Sequence, residues 1–251
     1  PGLIALRGVA GLGRDAPLEL TFSCIAPVGS QHCGRCNKCA ERAAAFKHLS
    51  TGDPNYYGDD YGIYKSLDGG VTWNPSNNGI GNRMAVEMLM HPSNHNIIVA
   101  ATTDGIWKTN NGGSTWLVKK TGGDFTDMVF KPVAGTSIIY AATKSQFWKS
   151  SDMGESWSQV AVPIPPGGNA NGIRIGVSPA DTNRVYLGLL YFTTTTHYGT
   201  VYRSDNAAQT FYGVKTQQLP DIAGYNANDP GQGNYNWTMT VNPTNADVVY
   251  T

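Results

Sequence analysis

Charge is scarce in this chain and balanced where it occurs. Only 14% of the 251 residues are charged, and 18 Lys and Arg offset 18 Asp and Glu. A surface built on phosphate contacts needs a basic excess, so nucleic acid is not expected as a partner. No apolar run approaches the roughly 20 residues that cross a bilayer. The first residues also lack a charged start followed by an apolar stretch, so neither a membrane span nor a leader is read here. The chain opens on Pro1 rather than Met and stops within the strand-like Val248-Val-Tyr-Thr251, which reads as a piece of a longer coding region.

Other absences are regional. Cysteine is missing after Cys39, whereas all 6 Trp and 13 Tyr lie after residue 55. The turn formers Ser50-Thr51-Gly52-Asp53-Pro54-Asn55 stand where composition changes, placing a junction near Asp53 between segments 1–52 and 53–251. At 40% hydrophobic, the chain is long enough to bury one or two cores unaided.

The second part repeats itself. Gly62-Ile-Tyr-Lys-Ser66-Leu-Asp68-Gly-Gly70-Val-Thr72-Trp73 returns as Gly105-Ile-Trp-Lys-Thr109-Asn-Asn111-Gly-Gly113-Ser-Thr115-Trp116. It returns again as Phe147-Trp-Lys-Ser150-Ser-Asp152-Met-Gly154-Glu-Ser156-Trp157 and Val201-Tyr-Arg-Ser204-Asp-Asn206-Ala-Ala208-Gln-Thr210-Phe211. The opening hydroxyls are spaced 43, 41 and 54 residues apart, near the length of a four-stranded propeller blade. A second motif runs in phase: Met88-Leu-Met-His-Pro92, Met128-Val-Phe-Lys-Pro132, Ile175-Gly-Val-Ser-Pro179 and Met239-Thr-Val-Asn-Pro243, each followed by a β-branched and aromatic stretch. Strand, polar turn, strand is a hairpin signature, so each repeat holds two hairpins.

Physically, the side chains of Asp68, Asn111, Asp152 and Asn206 can hydrogen-bond the backbone of their own turns, and Gly70, Gly113 and Gly154 can take positive φ. The closing aromatic then packs between sheets. With Asn206, Ala208 and Phe211, the fourth copy predicts a looser turn. The S-x-D-x-G-x-T-W spacing resembles the Asp box, or bacterial neuraminidase repeat, of sialidases, sortilin-type receptors and xyloglucan-active propellers, over about four fifths of the chain. The resemblance implies a mainly β fold: an incomplete β-propeller, with four successive blades and the start of a fifth over residues 54–251. In it the four box residues hold turns and do not catalyse.

With strands lettered A to D in each blade, Asp boxes join C to D and the Pro turns join A to B, on one face. The B-to-C and D-to-A connections lie on the other. The longest are Tyr191–Gly199, Pro163–Asn171 and about Gln217–Asn234, and binding usually resides in such loops. They offer Tyr191, His197, Tyr198, Asp221, Tyr225, Asn226, Asn228 and Asp229, an aromatic and amide mixture suited to a glycan or protein ligand. Only Arg83, Arg174, Arg184 and Arg203 follow residue 54, and no sialidase arginine triad with a tyrosine nucleophile can be assigned. A glycosidase needs two carboxylates about 5 to 10 Å apart, and the sequence locates no such pair. The Gly231-Gln-Gly-Asn-Tyr235-Asn-Trp237 segment resembles secreted multi-blade surface proteins. Glycan or protein binding is therefore read first, with xyloglucanase-like hydrolysis as the alternative.

Cys24, Cys33, Cys36 and Cys39 place four soft ligands within 16 residues, a spacing that suits tetrahedral zinc and is preferred to two disulfides. Alternating Leu18, Leu20, Phe22 and Cys24 read as a strand, and Cys39, Ala43 and Phe46 share a helical face, giving a strand-knuckle-helix segment. With no position left for water, such a zinc is structural. Thr21-Phe-Ser23-Cys24 and His32-Cys33-Gly34-Arg35-Cys36-Asn-Lys-Cys39-Ala-Glu-Arg42-Ala-Ala-Ala-Phe46 resemble the C-terminal tail of 7-cyano-7-deazaguanine synthase, a cytoplasmic ATP-dependent enzyme of queuosine biosynthesis. The resemblance implies that these four cysteines bind structural zinc. The family's Ser-Gly-Gly-x-Asp-Ser ATP-binding loop occurs nowhere here, and Gly8-Val-Ala-Gly11-Leu-Gly13 is no substitute, so ATP enters only with an upstream synthase part.

A cytoplasmic synthase tail beside a usually exported propeller leaves three readings open: a genuine fusion, two unrelated fragments joined, or part of a secreted glycosidase with a disulfide-bonded leader. On each, no complete active site is expected within these residues. Four-odd blades also leave open edges, predicting aggregation unless the missing blades are supplied.

Overall fold

The computed structural model describes residues 62–164, 169–192, 197–214 and 237–251. The chain divides into two compact units, Pro1–Tyr61 and Gly62–Thr251; the junction read near Asp53 lies outside the described residues, as does the whole first unit. Every regular element described is a strand, and no helix there is long and apolar enough to cross a membrane.

Among the described residues, five antiparallel sheets follow one another along the second unit. Blade 1 supplies two strands, β1 (Tyr64–Lys65) and β2 (Asn74–Pro75). Blade 2 comprises β3 (Ala85–Met90), β4 (Ile98–Thr102), β5 (Gly105–Thr109) and β6 (Leu117–Thr121). Blade 3 comprises β7 (Phe125–Phe130), β8 (Ile139–Thr143), β9 (Phe147–Ser150) and β10 (Ser158–Val160). Blade 4 comprises β11 (Asn169–Ser178), β12 (Asp181–Phe192), β13 (His197–Ser204) and β14 (Tyr212–Gly213), and blade 5 supplies β15 (Thr240–Val241) and β16 (Val249–Tyr250). Each complete sheet pairs its strands in chain order. The propeller reading therefore holds; where four blades and the start of a fifth were expected, the described residues form three whole blades with a C–D pair before and an A–B pair after.

Strands B and C of blades 2 and 3 are largely buried because sheets cover them on both sides, even where strand C ends in a cation and a hydroxyl. All five residues of β8 are buried, as are four of five in β4 and in β5, whereas β6 at the rim is half exposed. The core accordingly lies between blades. Ile63 and Ile80 meet Ala100 and Trp116 at the first junction. Val99 and Ile106 meet Phe125, Met128 and Ile139 at the second. Tyr140 and Phe147 meet Ile173, Leu187 and Phe211 at the third, with the Phe147 and Phe211 rings edge to face at 5.0 Å. Tyr186 meets Met239 and Val241 at the fourth.

The four boxes share one geometry. The opening hydroxyl accepts the N–H four residues on: Gly70 to Ser66 at 2.8 Å, Gly113 to Thr109 at 3.0 Å, Gly154 to Ser150 at 2.8 Å and Ala208 to Ser204 at 3.0 Å. Asp68, Asn111, Asp152 and Asn206 each accept the N–H four positions later at 2.9 to 3.0 Å. The fourth turn is thus as tight as the others, contrary to the looser turn expected from its alanines. Its bonds come from Ser204, Asn206 and Thr210, which the copy keeps, and the alanines adopt positive φ, 55° at Ala207 and 58° at Ala208. An L side chain there costs roughly 1 to 2 kcal/mol. Ala208→Gly is therefore expected to raise the unfolding free energy by about 1 kcal/mol, read from the urea midpoint.

Candidate functional site

The box face is chemically occupied. The carboxylate of Asp68 accepts from the Thr72 hydroxyl and N–H and from the Ser66 hydroxyl, which hold its pKa down to about 2 from 3.8. Asp205, beside the fourth box, is held to about 2 by Arg203 first, then by Tyr212 and Arg184. Glu155 sits between Lys108 at 2.7 Å and Lys119 at 2.6 Å, and these two lower its pKa. Depressed carboxyls stabilise the fold above their unfolded values, and the contribution is lost as pH falls through the folded ones. Thermal midpoints are therefore expected to hold level between about pH 7 and 5 and to drop between the ordinary carboxyl values and about 2.

On the opposite face, the B-to-C turns of blades 2 and 3 are tight, spanning Thr102 to Gly105 and Thr143 to Phe147. In blade 4, Tyr191, Phe192 and His197–Gly199, read from the sequence as loop, lie in strands, and residues 193–196 fall outside the described residues. β12 runs 12 residues and β13 begins at His197, so Tyr191 pairs with Tyr198 and Phe192 with His197 in an extended hairpin. Tyr and Phe favour strands, which is why the ladder reaches Phe192 and His197 where a loop was expected. Similarly, Asn169–Asn171, read as the end of a loop, open β11. Asp221, Tyr225, Asn226, Asn228 and Asp229 lie outside the described residues, as do Cys24, Cys33, Cys36 and Cys39.

At the base of this hairpin Leu190 packs on buried Trp237. A Cβ at Gly188 would lie 2.7 Å from Met239 Cε and 2.8 Å from Trp237 Cζ2, so only glycine fits without displacement there. Arg174 donates from Nε to the Trp237 carbonyl and from Nη1 to the Thr126 carbonyl, both at 2.8 Å. Beside it, Asp127 accepts the Ile175 N–H at 2.7 Å. Burial raises the Asp127 pKa, against the pull of Ile175 and Arg174. Elsewhere on this face Asp104 pairs with Arg83 at 2.6 Å and Asp124 with Lys144 at 2.7 Å. Partial burial alone would raise Asp104, but Arg83 and Thr102 outweigh it and the pKa is lowered. These three carboxylates are engaged in structural bonds.

One set of functional positions escaped the sequence reading. The cation preceding each box hydroxyl reaches forward to the next blade. Lys65 Nζ donates to the Gly112 carbonyl at 3.0 Å, Lys108 pairs with Glu155, and Lys149 Nζ donates to the Ala207 carbonyl at 2.7 Å. Arg203 lies 3.7 Å from Asp247 of blade 5. The signal was present in Tyr-Lys-Ser, Trp-Lys-Thr, Trp-Lys-Ser and Tyr-Arg-Ser, a basic residue at one fixed place in every copy.

Residues 7–50 match the family model described as Queuosine biosynthesis protein QueC. Over 53 residues the chain is 43% identical to the 7-cyano-7-deazaguanine synthase of Ruegeria sp. (strain TM1040), covering 21% of this chain and 22% of that protein. Over 49 residues it is 43% identical to the synthase of Rhizobium meliloti (strain 1021), covering 20% of each. The chain spans about a fifth of the length of the curated relatives it matches. Among solved structures, an ancestral GH74 enzyme aligns with a TM-score of 0.51 at 21% identity, over 61% of this chain and 21% of that one, a likeness that shows the fold. The chain thus joins a segment similar to 7-cyano-7-deazaguanine synthases to an Asp-box β-propeller.

Proposed function

We propose that the propeller is a binding module of an exported or surface protein, taking a glycan or protein ligand on the face opposite the boxes. The observation that carries this reading is the blade 4 hairpin, extended to the Phe192–His197 pair on a face where the neighbouring B-to-C connections are tight turns. Tyrosine is a residue type suited to stacking on sugar rings or filling a protein pocket, and this strand pair carries two of them in its sequence. The test is native affinity electrophoresis of the full chain in gels containing xyloglucan or other β-glucans. Retardation that Tyr191→Ala and Tyr198→Ala abolish supports the glycan form. Unchanged migration in every polysaccharide, with no protein ligand captured on the wild type but lost by the same variants, would end the reading.

The family match over residues 7–50 supports a second assignment for the first unit, a tail of the synthase type in which Cys24, Cys33, Cys36 and Cys39 hold a structural zinc. Four thiolates fit a closed tetrahedral site, and zinc would supply much of the folding free energy of so short a segment. About one zinc per chain by elemental analysis, lost in Cys36→Ser, is the expected result; metal-free protein with two disulfides by mass spectrometry would overturn it. ATP-dependent nitrile synthesis belongs to this chain only in company with an upstream ATP-binding part, and hydrolysis only with an acid pair beyond the three engaged carboxylates.

A further inference from the structure

Asn-Gly occurs at Asn78-Gly79, Asn111-Gly112 and Asn171-Gly172. In such a pair the glycine amide nitrogen attacks the asparagine carboxamide readily, because no Cβ shields it and the glycine backbone turns freely. A fold withholds the reaction in two ways: by pinning the carboxamide, and by committing the glycine N–H to another acceptor.

The second box does both. Asn111 Oδ1 accepts the Thr115 N–H at 2.9 Å and the Thr109 hydroxyl at 2.8 Å, while Nδ2 donates to Thr115 Oγ1 at 2.9 Å. The attacking atom is held as well, since the N–H of buried Gly112 donates to the Asn96 carbonyl at 2.9 Å. Asn171 lies within β11, where Gly172 pairs with Leu190. The Asn78-Gly79 turn is built the other way, and what is fixed there is the framework around the reacting atoms. Asn77 Oδ1 accepts the Ile63 N–H at 2.6 Å, the Asn77 carbonyl accepts the Gly81 N–H at 2.7 Å, and the Asn78 carbonyl accepts the Trp116 N–H at 2.8 Å. Among the described residues, no hydrogen bond reaches the Asn78 carboxamide or the Gly79 N–H.

We propose that Asn78 is a site of spontaneous deamidation and that the box geometry spares Asn111. The Gly79 nitrogen bonds to Asn78 Cγ, the Cγ–Nδ2 bond breaks, and the amide leaves as ammonia with the Gly79 proton. The cyclic imide that remains takes up one water and opens at either carbonyl, to aspartate or to isoaspartate, with no change of oxidation state. Isoaspartate reroutes the main chain through the former side chain, and the carbonyl that held the Trp116 N–H becomes part of a free carboxylate. The change falls where Gly79 approaches the Trp116 carbonyl and Ile80 packs beside Trp116. Modification therefore loosens blade 1 from blade 2 as the protein ages. Aspartate at position 111, by contrast, would give the second box the residue that Asp68 and Asp152 supply in the first and third.

The test incubates the full chain at mildly alkaline pH and follows each pair by electron-transfer mass spectrometry, which separates asparagine, aspartate and isoaspartate. Asn78 should convert at least about tenfold faster than Asn111, because the box must open before attack at 111. In guanidinium chloride the two pairs should convert at similar rates, since the unfolded chain holds neither. Chains carrying isoaspartate at 78, separated by anion exchange, should melt at a lower temperature than unmodified chains, and Asn78→Gln protein incubated in parallel should keep its starting midpoint. Asn111 or Asn171 converting as fast as Asn78 in the folded chain, an Asn78 that converts only in guanidinium chloride, or an unchanged midpoint in the isoaspartate fraction would each overturn the proposal.

Discussion

Trp116→Ala is expected to lower the unfolding free energy by about 3 to 5 kcal/mol, while Trp73→Ala, at the same place in the first box, should cost no more than about 0.5 kcal/mol. Both close an identical turn motif, so turn chemistry does not separate them. Trp116 is 2% exposed, packed on Ile63, Ile80 and Ala100, and its indole N–H donates to the Ser76 carbonyl at 2.8 Å. Removing the ring opens a cavity between blades 1 and 2 and leaves that carbonyl short of a donor. Trp73 is 60% exposed and donates to the Gly70 carbonyl of its own turn. Urea denaturation of the two variants measures the difference. Equal losses would mean that the boxes, and not the blade junctions, carry the stability.

Gly79→Ala should cost about 2 to 4 kcal/mol through the backbone. Gly79 has φ +92°, and a Cβ there would lie 2.2 Å from the Trp116 carbonyl oxygen, a contact that no side-chain rotation relieves. Gly69 provides the control: at φ +73° it is also left-handed, yet nothing lies within 4 Å of its Cβ position. Gly69→Ala should therefore cost only about 1 kcal/mol. Similar losses for both would show that the approach of Gly79 to blade 2 relaxes at little cost.

What the sequence revealed is what lies close along the chain. In each box the donor and acceptor are two to four residues apart, so the turn, and with it the blade period, can be read from spacing alone. The same locality explains why Ser204, Asn206 and Thr210 overcome two left-handed alanines, an outcome that glycine counting missed. The inter-blade contacts were not legible because their partners are remote: Lys149 reaches Ala207 across 58 positions and Arg174 reaches Trp237 across 63. No period ties those residues, and only the recurrence of a cation before each box hydroxyl hinted at a shared role. The strand character of Tyr191, Phe192, His197 and Tyr198 is not legible in the sequence because no Gly, Pro, Asn or Asp stands between Phe192 and His197 to mark where β12 stops and β13 starts. The hairpin tyrosines and His197 proved to be ladder positions; the remaining ligand residues and the four cysteines fall outside the described residues.

The forward reach of the basic residues gives the array a polarity. Lys65, Lys108 and Lys149 each extend from a strand already complete toward a turn encoded about 45 to 60 residues later. During translation each blade therefore leaves the ribosome after the donor that will hold its box has been made. An emerging box meets a waiting ammonium, and an earlier blade does not depend on a later one for its own box contact. These contacts favour assembly in the order in which the ribosome delivers the chain.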